Sequence, residues 1–423
     1  MENPTIGNGD AGKAVRYGLI ALIFFGTALN YLDRQVLSLL KPTLEQEFGW
    51  DNQHFGHFAS VFQIATAASL LGVGWFIDRF GVRRGYGIAV IVWSFAGIAH
   101  GFATSIQQFV TARITLAVAE AANTPAAMKA AATYLPTRER SVGIGVINSA
   151  SNIGAIVAPL TVPLIAVTFG WKAAFWITGG LGFIWLAFWW LGTRNLPQYQ
   201  GAVSAGGSPL KGAPWGELLR DRRTWAVAGA KVPTDMIWWF MLFWAPDFFK
   251  LQFGLNQSQV GQPTAIVFAM AAVGAITSGF LFPALLGRGL SANRARKSSM
   301  FFYALLIVPI PLALVAPNQW VAALIIGLGL FAHQGFSTNI FGMTADIVPA
   351  RQVASVIAIG ALAGNLAGAA MQEFTGWALD KGLGYTPMFV MAAAAYLVAL
   401  AWIHAVLPKL EIVNDEGPET TAG

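Results

Sequence analysis

Residues 16–41 read RYGLIALIFFGTALNYLDRQVLSLLK, an apolar run held between basic ends and broken only near its far end, by Asp33 and Arg34. A hydrocarbon layer roughly 30 Å thick takes about 20 residues of helix to cross, so this stretch has the length and character of a membrane span. An ionised side chain at that depth costs several kcal/mol unless it is paired or faces a polar cavity. Asp33 and Arg34 are therefore candidate functional residues before any other part of the chain is read.

Outward from this stretch the pattern repeats. Further apolar windows lie near 54–77, 85–105, 107–134, 141–168, 172–193, 225–251, 260–286, 298–316, 318–346, 350–378 and 385–408. With 16–40 they make twelve expected spans. Hydrophobic residues make up 56% of the 423-residue chain and charged ones 11%, against roughly a quarter charged in soluble domains. The fold class expected is an all-α polytopic membrane protein. The polar start MENPTIGNGDAGKAV precedes an apolar run too long for a signal-peptide core, so the first span is expected to act as its own insertion signal. There is no cysteine, which removes disulfides, thiolate metal sites and thiol nucleophiles. No nucleotide loop, metal cluster or nucleophile–base pair points to an enzyme.

Basic residues fall in alternate loops: Arg79, Arg83 and Arg84; Arg138 and Arg140; Arg194 to Arg223; Arg288 to Lys297; Lys409. The other loops carry Lys41, Lys172, Lys250 and Lys381. By the positive-inside rule both termini are expected on the cytoplasmic side of a cell inner membrane. The net charge of +6 is scattered over short loops and does not form a nucleic-acid face. The longest polar interruption, 194–224, divides into GAVSAGGSPLKGAP, a flexible linker, and WGELLRDRRTW, which reads as an amphipathic segment on the membrane surface. The expected organisation is a six-helix bundle over 1–193, the linker over 194–224, a second bundle over 225–408 and a tail over 409–423, with solute bound between the bundles.

Between spans 2 and 3 the chain reads Gly74-Trp-Phe-Ile-Asp78-Arg79-Phe-Gly81-Val-Arg83-Arg84, which resembles the signature loop of the major facilitator superfamily. Gly81 suits a tight turn, and Asp78, Arg79, Arg83 and Arg84 suit gating across the bundle interface. A weaker counterpart, Gly287-Arg288 through Asn293-Arg294-Ala-Arg296-Lys297, lies between spans 8 and 9.

Span 4 carries a second charged set, Arg113 and Glu120. Seven residues are two helical turns, so both lie on one face. Asp33 and Arg34, about 100° apart, address different partners. Pairing of Arg34 with Glu120, or of Asp33 with Arg113, is expected across spans 1 and 4, the alternative role being a static brace. Arginine keeps its charge and offers a planar fork to a carboxylate, so Arg34 and Arg113 are the candidate anion ligands. Asp33 and Glu120 are the candidate proton carriers, since a change of arginine partner alters their proton affinity. The second half adds Lys231, Asp235, Trp238 and Trp239 in span 7, His333, Gln334 and Asn339 in span 10 and Asn365 in span 11, with Tyr31 and Asn152 from the first half. Amides, hydroxyls and indoles suit a hydroxylated cargo that also carries a carboxylate. Trp238 and Trp239 cannot share a face, so one of them is expected to pack against neighbours or lipid.

Asn30-Tyr31-Leu-Asp33-Arg34, Arg113 with Glu120, and Leu135-Pro136-Thr-Arg138-Glu139-Arg140 opening into Asn148-Ser149 and Asn152-Ile-Gly154 resemble the anion:cation symporter branch of that superfamily. Pro214-Trp215, Thr234-Asp235 with Trp238-Trp239, Leu242-Phe243-Trp244 and Ala332-His333-Gln334-Gly335 sharpen the likeness to bacterial hexuronate transporters. The resemblance implies proton-coupled uptake of glucuronate or galacturonate by alternating access, with no cofactor, by a monomer in the bilayer. It implies coupling and carboxylate binding by the span 1 and span 4 charges. Asn152 stands roughly where some relatives have glutamine, and Met236 where hexuronate carriers tend to have proline. Aldonate, aldarate or dicarboxylate uptake is the alternative, and a non-transporting sensor a further one.

Overall fold

A computed structural model describes residues 10–135, 137–194 and 215–410. The flexible linker and the acidic tail expected from the sequence lie outside these residues, as do the side chains of Arg138, Glu139, Arg140 and Asn148. The chain forms helices α1 (Asp10–Phe48), α2 (Asn52–Leu70), α3 (Val73–His100), α4 (Ile106–Glu120), α5 (Asn123–Tyr134), α6 (Thr137–Phe169) and α7 (Trp171–Gly192). A short α8 (Trp215–Arg220) leads into α9 (Arg222–Phe253), α10 (Gly261–Gly287), α11 (Ala292–Ile307), α12 (Gln319–Ile347), α13 (Ala350–Asp380) and α14 (Thr386–Val406). Every one of the twelve apolar windows falls on this framework, as a bilayer requires of backbone that must satisfy its own hydrogen bonds.

Among the described residues seven helical stretches are long and apolar enough to cross a membrane on composition alone. Helices α2 and α3 meet the same measure together as a bent pair. Helix α9 is less apolar because it carries Lys231, Asp235, Asp247 and Lys250. Span 4 is cut in two at Ala121–Ala122, where Pro125 in the first turn of α5 supplies no N–H to the turn before it. That break is braced: Tyr86 Oη donates to Asn123 Oδ1 at 2.6 Å, and Asn123 Nδ2 donates to Thr27 at 3.4 Å.

Side-chain caps set several starts. Asp51 closes a capping box with His54 at α2, Ser105 caps α4, Ser291 caps α11 and Asn318 caps α12. Asp221 accepts from Arg223 N at 2.8 Å, which starts span 7 at Arg222, slightly before the expected 225. The surface segment is correspondingly shorter than expected, ending at Arg220. Within α3, Gly81 sits at φ 74° and ψ 156°, so the helical run breaks there into the end of span 2 and the start of span 3. Only glycine takes that backbone without strain. Pro263 sits in the first turn of α10, where it interrupts no helical hydrogen bond.

The face on which α1 begins and α14 ends is called terminal here, and the opposite face distal. Helices α1 to α7 pack on one another, as do α9 to α14; α2 against α13, α6 against α10 and α1 against α9 join the two sets.

Candidate functional site

The buried charges of spans 1 and 4 meet. Arg34 Nε donates to Glu120 Oε2 at 3.0 Å, with side-chain exposures of 9% and 0%. Of the two pairings open from the sequence, the structure contains this one. Arg113, 1% exposed, gives Nη2 to the backbone carbonyl of Arg34 at 3.2 Å, while its Nε and Nη1 have no partner among the described residues. Among the described residues Glu120 Oε1 has no partner, and Asp33 meets only the Thr178 hydroxyl of α7, with the charges of Arg113 and Glu120 also acting on it. Asn30 braces the helix break by donating to the Glu120 carbonyl at 3.5 Å.

Aromatic rings wall this cluster. The Arg113 guanidinium lies 4.4 Å from the Phe62 ring centre and 5.8 Å from Phe243; Arg34 lies 5.0 Å from Tyr31, 5.6 Å from Phe62 and 5.9 Å from Trp239. Phe243 and Trp239 belong to the second half, so the arginines sit at the seam. Rings offer a cation attraction but no hydrogen-bond acceptor in the plane of the guanidinium. A buried arginine is normally satisfied; here Nε and Nη1, on opposite edges of the guanidinium, each leave a donor for an anion.

The second half answers with a polar chain. Lys231 Nζ pairs with Asp235 Oδ1 at 2.7 Å. Trp238 stacks on His333 with ring centres 4.9 Å apart, and His333 Nδ1 meets Tyr396 Oη at 2.7 Å. Gln334 Nε2 reaches Asn152 Oδ1 of the first half at 3.5 Å. Neither tryptophan is left to lipid alone, because Trp239 runs parallel to Phe243 at 6.2 Å. Asn339 is not brought here: its amide donates to Gly335 O and accepts from Arg296 at 3.4 Å. Asn365 gives its amide N–H to Ala361 O, 2.8 Å away, and keeps a free buried Oδ1.

Sequence reasoning missed the distal seal. Lys41, read as a loop charge, is buried and binds Asp247 at 2.7 Å, Glu45 at 2.6 Å and Asn52 at 2.8 Å; Tyr385 Oη donates to Asp247 at 2.6 Å. Ser38 donates to the Phe243 carbonyl and Gln257 to the Leu39 carbonyl. Gln53 Nε2 donates to Glu373 at 2.8 Å, and His57 meets the same carboxylate at 3.1 Å. Asp380, at the end of α13, accepts from the backbone of Asn52 at 3.2 Å and of Gln53 at 2.9 Å. The backbones approach to suit: a Cβ at Gly56 would lie 2.6 Å from Gln372 O, and one at Gly376 the same distance from Asn52 O. The charge on Asp51, beside this seam, is opposed by partial burial, but the backbone and ring donors of His54 outweigh it and hold the carboxyl below its ordinary value. The distal face is closed.

On the terminal face the described polar pairs stay within a half. Asp78 binds Lys129, and Arg83 donates to Thr193 Oγ1 at 3.1 Å and Trp190 O at 3.0 Å. In this arrangement the reach of Arg83 is taken by α7, which lies beside α3. Arg79 and Arg84 are exposed. In the second half Arg296 pairs with Asp346 at 2.5 Å.

The Major Facilitator Superfamily sequence model matches residues 23–371. The chain belongs to the major facilitator superfamily. Its members are transporters and not enzymes, and this chain is a multi-pass membrane protein. The hexuronate transporter of Escherichia coli (strain K12) is 28% identical over 96% of this chain and 99% of its own length. The probable L-galactonate transporter of the same strain is 27% identical over 93% of this chain and 90% of its own. Among solved structures, a bacterial homolog to the human lysosomal transporter Spinster, in inward-facing and occupied conformation, superposes with a TM-score of 0.75 at 18% identity, covering 95% of this chain and 98% of that one. A D-xylose-proton symporter gives 0.73 at 15%, covering 93% and 98%. Both structures share the fold of this superfamily member.

Proposed function

We propose that this chain imports a sugar acid of the hexuronate type, glucuronate or galacturonate, by proton symport and alternating access. It needs no cofactor and works as a monomer in the inner membrane, both termini facing the cytoplasm. The observation that carries the reading is Arg113, buried at the seam with Nε and Nη1 unoccupied among the described residues, next to an ion-paired Arg34–Glu120 and a buried Asp33 that no cation pairs within hydrogen-bond distance. A carboxylate satisfies those donors. Protonation of Asp33 or Glu120 offsets the added negative charge, which gives cargo and proton a common site. Hydroxyls of the cargo are served by Gln334, Asn152 and the free Asn365 Oδ1, and Trp238 offers a ring face. The names of the hexuronate, galactonate and galacturonate transporters among its relatives agree with a hydroxylated acid. With the distal face closed, the cavity corresponds to the state that releases cargo to the cytoplasm.

Reconstituted in liposomes, the protein is expected to accumulate hexuronate when the outside is acidified and to exchange it without a gradient. Asp33→Asn or Glu120→Gln is expected to abolish accumulation and spare exchange. Undiminished accumulation in both variants removes the proton-carrier roles; failure of the unmodified protein to move any sugar acid removes the cargo.

A further inference from the structure

The Lys231–Asp235 pair has no part in the carboxylate site, yet it occupies the same face of α9. Lys231, Asp235, Trp239 and Phe243 follow at four-residue steps, a stripe along one side of a helix. Trp239 lies over Arg34 and Phe243 near Arg113. Lys231 lies eight residues from Trp239 and twelve from Phe243, which at 1.5 Å per residue is about 12 Å and about 18 Å along the axis. One helix face therefore carries the ring that covers the first cationic pole and, further toward the terminal face, a second cationic pole.

Helix α13 fixes this second pole. A Cβ at Gly364 would lie 2.2 Å from Asp235 Oδ2, and one at Gly360 would lie 3.3 Å from Lys231 Cγ. The pair is pressed between the two helices and cannot rotate away. From α12, the Phe341 ring lies 5.1 Å from Lys231 Nζ, and the Lys231 and Asp235 side chains are 10% and 12% exposed. One turn along, His333 is stacked on Trp238 and leaves its Nε2 without a described partner.

The two poles differ in how their charge is compensated. In the first, Arg113 keeps two free donors. In the second, the single ammonium is matched by the carboxylate 2.7 Å away. An anionic end of a cargo finds free donors at Arg113; at Lys231 it meets Asp235, whose negative charge repels it. A hydroxylated end meets both a donor and an acceptor there.

Resting on the sugar-acid reading above, we propose that the Lys231–Asp235 pair is the charge filter for the far end of the substrate, admitting a neutral hydroxylated terminus and rejecting a second carboxylate. Specificity of this kind comes from the repulsive element as much as from the attractive one. The filter makes the protein a carrier of monocarboxylic sugar acids. Removing the charge of Asp235 leaves Lys231 as an uncompensated cation ready for a second carboxylate.

The test compares glucuronate with its dicarboxylic counterpart glucarate, as competing substrates in liposome counterflow and as ligands in thermal-shift titrations. The unmodified protein is expected to prefer glucuronate. Asp235→Asn is expected to move the preference toward glucarate by roughly tenfold, the size one charge-assisted hydrogen bond supports. The double variant Lys231→Gln with Asp235→Asn, neutral again, is expected to lose that gain and to report whether the site still folds. Equal handling of the two acids by the unmodified protein, or an unchanged ratio in Asp235→Asn, overturns the filter. Failure of the unmodified protein to bind either acid overturns instead the sugar-acid reading on which the filter rests.

Discussion

Lys41 of α1 and Asp247 of α9 form a buried ion pair at 2.7 Å across the two halves, with side-chain exposures of 2% and 1%. Removing one partner of a buried pair costs about 3–5 kcal/mol when the other charge is left alone; Lys41 keeps Glu45 at 2.6 Å and Asn52 at 2.8 Å, so the loss of Asp247 costs less than that. The cost falls on the distal-closed arrangement alone, since opening the distal face separates the residues and admits water. Asp247→Asn is expected to shift the protein toward a distal-open state. The chain has no cysteine, so Ser38→Cys, at a fully buried seam position, is a clean reporter. An impermeant maleimide is expected to label it slowly in the otherwise unmodified protein and much faster with Asp247→Asn; equal rates count against the gate.

Arg113 separates charge from geometry. Arg113→Lys keeps a cation but loses the guanidinium plane, so the free donors on its opposite edges, Nε and Nη1, cannot both be replaced. Each hydrogen bond to a charged group is worth about 1.5–3 kcal/mol. KM for the sugar acid is expected to rise tenfold or more, with only a modest fall in the thermal midpoint from loss of the Nη2 bond to the Arg34 carbonyl, since Nε and Nη1 stabilise nothing in the empty protein. A collapsed midpoint with unchanged KM assigns Arg113 to bracing.

How much of this was legible in the sequence depends on the range of the interaction. Twelve apolar windows located the helices because hydrophobic length is a local property. The seven-residue step from Arg113 to Glu120 placed both on one face, and opposite charge then limited Arg34 to a short choice of partners. Lys41 was misread because its partner is 206 residues away, and nothing in its own neighbourhood distinguishes a sealed ammonium from a loop charge. Asn339 illustrates the converse: a polar residue in a cavity-lining helix is a candidate until Arg296, on another helix, takes its amide. Helical spacing specifies a face, and only packing specifies the partner.

The His333–Tyr396 contact predicts a tuning effect. The hydroxyl at 2.7 Å from Nδ1 holds the ring in orientation and biases which nitrogen carries the proton. Tyr396→Phe is expected to raise KM several-fold and leave the turnover of bound cargo near normal, measured as initial uptake against concentration. A matching fall in turnover with unchanged KM places the pair in the conformational cycle instead.

Asp380 supplies a prediction that isolates one arrangement of the two halves. Its carboxylate accepts from the backbone N–H groups of Asn52 and Gln53 and from Asn52 Nδ2 at 2.8 Å, so a side chain at the end of α13 caps the start of α2. These N–H groups are among the first of a helix and have no partner within it, and the N-terminal dipole favours an anion there. Asp51 caps the same helix locally through His54 N at 2.8 Å, so α2 keeps its start when the halves part. Loss of a cap costs about 1 kcal/mol. Asp380→Ala is therefore expected to weaken the distal-closed state by about that amount, raising labelling at Ser38→Cys several-fold without unfolding α2. Asp51→Ala is expected to act differently: it removes the cap in both states, lowering the thermal midpoint with little change in the labelling rate. If both variants change labelling equally, the Asp380 contact is part of α2 itself and not of the gate.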